Sequence, residues 1–150
     1  MKKVVLVLVL LLAIAQVFRI DKTNPPADMA QDFLVLTKAS PEMSDRIKNA
    51  CYDCHSHHSV YPWYTNISPI SFLIKSHMKN GRKKLNFSTW SAYDAEKAAH
   101  KLEECAEEVG EKHMPLKSYT WLHPKAKLTD KQRDELIAWF NALAIANKGQ

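Results

Sequence analysis

Glycine is scarce in this 150-residue chain: only Gly81, Gly110 and Gly149 occur. Tight turns between strands draw heavily on glycine, so the scarcity disfavours a turn-rich sheet protein and favours helices. Cysteine is equally rare, with Cys51, Cys54 and Cys105 alone. Only one apolar run is long, at the N-terminus, and the remainder is roughly one domain's worth of sequence. No repeat and no low-complexity segment occurs. The formal net charge of +5 is modest, and Lys2 and Lys3 contribute to it from the extreme N-terminus. No basic stripe is interleaved with aromatics, which excludes a nucleic-acid binder. A charged fraction of 25% beside 46% hydrophobic residues is ordinary for a globular chain and not that of a disordered one.

What is present begins with the leader. Lys2-Lys3 precede an uninterrupted apolar run over residues 4–15, extended by Val17 and Phe18 and closed by Arg19. This is a positive n-region and an h-region of secretory length, and "AIA" at 13–15 offers a small-x-small cleavage site. The run is short for a membrane span of about 20 residues, but flanking Lys and Arg can snorkel, so an uncleaved anchor fits as well. A buried core helix is the bland alternative, and it rarely lacks any polar face. Signal or anchor, the segment exports the rest of the chain into an oxidising compartment.

Residues 1–20 thus read as signal peptide or membrane anchor, 21–39 as a polar, proline-bearing linker with an uncertain stretch at 32–39, and 40–146 as the folded domain. Ser40-Pro41 opens a helix as N-cap and first helical residue. Met43, Ile47, Ala50, Cys51 and Cys54 recur at helical spacing, and the helix ends near His55. Ser68-Pro69 opens a second helix through Ile70, Leu73, Ile74 and His77, with Gly81 as its C′ stop. A third starts near Asp94 with an apolar stripe of Ala98, Leu102, Cys105 and Val109, and Gly110 ends it. Residues 111–127 read as an irregular loop. Thr129 and Gln132 form a capping box before a last helix with Leu136, Ile137, Trp139, Phe140 and Leu143 on its core face.

Cys51-Tyr52-Asp53-Cys54-His55 fits C-x-x-C-H, the attachment signature of a c-type haem. On a helix, positions i, i+3 and i+4 share a face. Two thiols can then add across the vinyl groups of one porphyrin edge, and the histidine lies under the iron as proximal ligand. Three other chemistries compete. A zinc site needs a second ligand pair, whereas only Cys105 and the loose neighbours His57 and His58 are on offer. A thioredoxin-like dithiol needs a βαβ context that the sequence lacks. A structural disulfide beside solvated histidines is the bland alternative. For the second axial position of a haem, Met114 in "GEKHMPL" is the leading candidate, since a thioether raises the reduction potential relative to a second histidine. Its competitors are His113, His77, His123 and Met78. Trp63, Tyr61, Tyr64, Phe87 and Trp90 are candidates to cover the haem faces, though core packing serves equally for each. Trp63, Arg82 and Asn86 are candidate hydrogen-bond partners for the propionates.

The blocks "CYDCHS" at 51–56, "YPWY" at 61–64, "ISPIS" at 67–71, "GRKKLNFSTW" at 81–90, "MP" at 114–115, "SY" at 118–119 and "HPKAKLT" at 123–129 stand in order. With the Trp139 helix they resemble the small haem-binding domain family of exported bacterial c-type cytochromes, over about residues 42–142. The resemblance implies one haem c held through Cys51 and Cys54, His55 as proximal ligand and Met114 as distal ligand. Its sequence of haem helix, Met-Pro loop and capped terminal helix is also similar to class I cytochromes c.

The expectation is therefore an all-α, small cytochrome c-like helical domain around one haem, preceded by the apolar signal or anchor helix. Its expected function is single-electron transfer in the cell envelope rather than enzymatic turnover, in the periplasm and tethered to the inner membrane. Redox proteins would meet it by transient contact at a partly exposed haem edge. The rival is a haem-based sensor or peroxidase-like protein with a displaceable distal ligand, for which neighbouring His113 and Met114 would serve. A haem-free zinc-binding or structural module is the third alternative. The intact mass of exported protein settles whether haem is covalently attached and whether the leader is cut. It is expected to exceed the polypeptide mass by one haem, and residues 1–15 will be either present or cut.

Overall fold

The computed structural model describes residues 1–149, and among them there is no strand. Eight α-helices follow in chain order: α1 (Lys2–Ala15), α2 (Phe33–Leu36), α3 (Pro41–Ile47), α4 (Asp53–His55), α5 (Ile70–Lys84), α6 (Ala95–Gly110), α7 (Lys117–Leu122) and α8 (Asp130–Lys148). A π-helical turn, Lys48–Tyr52, joins α3 to α4, so residues 41–55 wind as one stretch. Short 3₁₀ turns occupy Met29–Gln31, Trp63–Asn66, Phe87–Ala92 and Pro124–Ala126. The all-helical domain follows the glycine-poor, periodic sequence.

The starts of the helices follow local chemistry. Ser40 accepts a hydrogen bond from the Met43 amide and Pro41 occupies the first helical position of α3. Asp94 caps α6 by accepting from Lys97 N. Thr129 accepts from Gln132 N while the Gln132 side chain accepts from Thr129 N, which completes the capping box of α8. Such caps satisfy amides that have no partner within the helix.

α6 and α8 form the main packed pair. Ala98, Leu102 and Val109 bury the expected stripe of α6, joined by Ala99 and Ala106, against Leu136, Phe140 and Ala144 of α8. Cys105, Ile137, Trp139 and Leu143 pack at the edge of this core.

The segment at 21–39 is not a free linker. Phe33 is fully buried, with its ring 4.5 Å from Trp90, 4.9 Å from Phe87 and 5.5 Å from Trp139. Asp32 caps α2 through Leu34 N and receives the Tyr52 hydroxyl at 2.8 Å. Asn24 donates to the Ser59 carbonyl at 2.9 Å and accepts from Arg82 at 3.0 Å, and His57 Nδ1 donates to the Pro26 carbonyl. Proline and polar composition signals an irregular backbone, and here that backbone is stitched to the domain by side chains remote in sequence.

Two further expectations are corrected. Residues 111–127 contain α7 and a 3₁₀ turn rather than a wholly irregular loop. Gly81 does not stop α5, which runs on to Lys84. Its role is tertiary: a Cβ placed there would sit 2.6 Å from the Cys54 carbonyl oxygen. The chain needs hydrogen at that position so that α5 can press against the end of α4.

α1 comprises 14 residues, carries no acid or base after Lys3, and none of its residues is buried. At 1.5 Å per residue it is about 21 Å long. No helix among the described residues is long and apolar enough to cross a membrane.

Gly81→Ala tests the close approach. Alanine in an exposed helix interior is favoured over glycine by about 1 kcal/mol. Here the backbone clash reverses the sign, and a net loss of roughly 1–3 kcal/mol is expected in urea unfolding. An unchanged or stabilised variant would show that the contact relaxes freely.

Candidate functional site

The stretch that carries the C-x-x-C-H motif presents Cys51 and His55 to a cavity of about 450 Å³. Leu85, Phe87, Val109 and Phe140 give it apolar walls, Cys105 and Met114 add sulfur, and Lys84, Lys101 and three α6 glutamates add charge. A cavity of this size, with an apolar wall and several charged side chains, can take a cofactor.

His55 is held in a defined state. Its Nδ1 lies 3.2 Å from the Leu85 carbonyl, which can only accept, so Nδ1 carries the proton. Burial lowers its pKa below the ordinary 6.5, against the opposing pull of the Leu85 and Gly81 carbonyls. The ring is therefore neutral, with Nε2 free to bind a metal, and the carbonyl fixes its tautomer.

Met114 reaches the same cavity from the loop after α6. Its amide donates to Glu108 O at 3.0 Å, and Arg133 Nη1 donates to its carbonyl at 2.8 Å. The competing ligands go elsewhere. His113 turns outward to Glu111 at 3.2 Å and Glu108 at 3.5 Å. His77 is exposed on α5, not on the apolar face its spacing suggested; Ser71 and Met78 are the buried residues there. His123 meets the Tyr64 hydroxyl through Nε2 and stacks on Tyr119 with centroids 4.1 Å apart. Of the five candidate distal ligands, Met114 alone lines the cavity with His55.

The thiols are neutral. Burial pushes the Cys51 pKa up to about 12, with Cys54 adding to it, and burial beside Asp53 takes Cys54 to about 11. Burial also raises Cys105. No disulfide joins these cysteines. Cys54 does not line the cavity wall; its backbone presses on Gly81. Among the described residues, no group of three or more His, Cys, Asp or Glu is placed to hold a metal by itself.

The three expected supporting residues lie outside this cavity. Trp63 is 71% exposed on its 3₁₀ turn. Arg82 donates to Ser56 O at 2.7 Å, Ser59 Oγ at 2.8 Å and Asn24 Oδ1 at 3.0 Å. Asn86 accepts from Ser88 N, and its Nδ2 meets His57 Nε2 at 2.8 Å. Arg82 and Asn86 thus brace the loop after His55, a role their polarity alone did not distinguish from anion binding. Phe87 does line the cavity, and Trp90 belongs to the aromatic core. Lys84, Lys101 and the nearness of Cys105 to Cys51 were missed, because adjacent lysines on a helix look alike until the partner helices are placed. A larger cavity, about 850 Å³, lies on the opposite side of the haem-motif stretch, around Tyr52 and Asp53; neither motif cysteine nor His55 lines it.

His55 and Met114 lining one cavity, with Cys51 at its wall, suit a helical domain that binds an iron porphyrin. The chain belongs to the haem-binding domain family, whose model matches residues 10–142. Among curated proteins and among solved structures, nothing matches.

In the haem-free folded chain, alkylation of Cys51 and Cys54 is expected to be slow near neutral pH. The rate should rise about tenfold per pH unit towards the raised pKa values. Unfolding in urea should restore ordinary thiol behaviour, with a half-maximal rate near about pH 8.5. A folded-state plateau below about pH 9 would contradict the buried, neutral thiols.

Proposed function

We propose that this haem-binding domain is a monohaem c-type cytochrome that carries single electrons in the cell envelope. The observation that carries the proposal is the shared cavity: His55 and Met114 both line it, and no competing histidine does. Cys51, on the cavity wall, would form one thioether bond to the haem; Cys54 stands off that wall and would have to turn towards it to form the second, while His55 Nε2 and Met114 Sδ would be the iron's ligands. The iron of that haem supplies a one-electron ferric–ferrous couple.

The protein's own contribution would be to hold both candidate ligands, His55 and Met114, still. The Leu85 carbonyl fixes the imidazole, and Arg133 fixes the Met114 backbone. Ligands held in this way would keep reorganisation small on electron transfer. Thioether ligation by Met114 would favour the reduced form relative to a second histidine. Lys84 forms no ion pair among the described residues, so it replaces Arg82 and Asn86 as the propionate partner in this proposal. The cytochrome c-like order of haem helix, Met-Pro loop and capped α8 supports the same function.

The proposal also places the domain in the periplasm, tethered to the inner membrane by residues 1–20. The apolar, unburied surface of α1 supports this, with Val17 and Phe18 extending it beyond the helix. Redox partner proteins would dock transiently.

The reduced visible spectrum with and without carbon monoxide tests the proposal, on protein exported in a host with cytochrome c maturation. The wild type is expected to be low-spin and indifferent to carbon monoxide. Met114→Ala should bind carbon monoxide and change the resting spectrum, while His113→Ala should match the wild type. A wild-type shift with carbon monoxide would move sensing or peroxide chemistry to the front, and no haem bands would end the haem reading.

A further inference from the structure

We propose that the corner of the fold carrying Trp63, Ile67, Ile70, Phe72 and Leu73 rests on the lipid bilayer. The haem domain then sits flush on the membrane in a fixed orientation. This inference rests on the membrane-tethered reading above and adds a second, peripheral contact to it.

Three observations converge on the corner. The first is exposed apolar surface. Trp63, in the Trp63–Asn66 turn, is 71% exposed and Leu73 62%; Ile67, just after that turn, and Ile70 and Phe72, with Leu73 at the start of α5, are exposed as well. A cluster of this kind marks an interaction surface.

The second is the route of the chain out of α1. Residues 16–22 are bonded to this same corner. Gln16 Nε2 donates to Ser68 O at 2.9 Å, and Ser68 N donates back to Gln16 Oε1 at 3.1 Å. Ser68 Oγ donates to Phe18 O at 2.9 Å. Arg19 and Lys22 both donate to Asn66, and Lys75 donates to the Asp21 carbonyl. The apolar helix therefore emerges directly beside the exposed apolar side chains, and no slack separates them. A bilayer that accepts α1 meets the corner as well.

The third is charge. Arg19, Lys22 and Lys75 surround the corner, Asp21 is the acid among them, and none of the three cations is in an ion pair among the described residues. Cations at this depth suit anionic headgroups, and tryptophan is enriched at the membrane interface. Apolar centre, basic rim and a continuous apolar helix together specify a lipid surface rather than a protein groove.

The length of α1 gives the contact a purpose. About 21 Å of helix is shorter than a hydrocarbon core of about 30 Å. A short anchor holds a domain poorly by itself, and a second apolar contact at the interface restrains its tilt.

The test uses the full-length, haem-loaded chain in nanodiscs of phosphatidylethanolamine and phosphatidylglycerol that contain a diazirine-bearing phosphatidylglycerol. After illumination, peptide mass spectrometry maps the lipid adducts. Adducts are expected on residues 60–75 as well as 2–18, with none on 95–110. The exposed double substitution Phe72→Ser/Leu73→Ser should remove most adducts from 60–75 and leave those on 2–18 unchanged. Adducts confined to 2–18 would overturn the docking corner while leaving the tether intact. A chain that fails to co-purify with the discs and carries no adducts would overturn the tether, and the corner with it.

Discussion

The contact between Gly81 and the Cys54 carbonyl is the constraint on which the site depends. It lets α5 lie against the end of α4 at a separation that a methyl group would forbid. The same approach brings the residues after α5 into place. Leu85, the first beyond that helix, offers its carbonyl to His55 Nδ1. Phe87, two residues on, lines the cavity wall. One absent side chain thus positions the partner that sets the tautomer of the proposed iron ligand. A metal-binding histidine without such a partner would be free to rotate and to exchange tautomers.

Behind the haem-motif stretch, an aromatic core keeps it in register. Tyr52, between the two motif cysteines, stacks on Phe87 at 5.4 Å and donates its hydroxyl to Asp32. Asp32 also caps α2, which delivers Phe33 to the centre of the core. The N-terminal arm is in this way part of the fold that supports the motif. Arg82, Asn86 and His57 continue the support around the following loop, where the backbone has many carbonyls to satisfy. Arg133 of α8 binds the Val109 and Met114 carbonyls, tying the Met-Pro loop to the terminal helix. The Leu85 carbonyl, just beyond α5, thus holds His55, and Arg133 of α8 holds the Met114 backbone.

Much of the fold was legible in local sequence. Caps at Ser40 and Thr129, the stripes of the last two long helices, and the scarcity of glycine all act within a few residues of themselves. The errors share one cause. Gly81 looked like a helix stop because glycine usually is one, and only the neighbouring helix shows why hydrogen is required there. His77 looked inward-facing because nearby apolar residues share its spacing, yet α5 buries Ser71 and Met78 and leaves its other flank exposed. Residues 21–39 looked loose because their partners, Ser59, Arg82 and Tyr52, are far along the chain.

By itself the sequence determined the chemistry on offer: two thiols and a histidine at helical spacing, a methionine in a proline-bearing loop, an apolar N-terminal run and an all-helical domain. Those features are short-range, set by residue type and by the period of the helix. Only the tertiary structure decided which groups meet. It put Met114 on the wall shared with His55, turned His113 towards glutamates, bound His123 to Tyr64, and drew Arg82 and Asn86 into bracing a loop. The reason is physical: a side chain's partner across a core is chosen by where helices can approach, and that depends on atoms dozens of residues away.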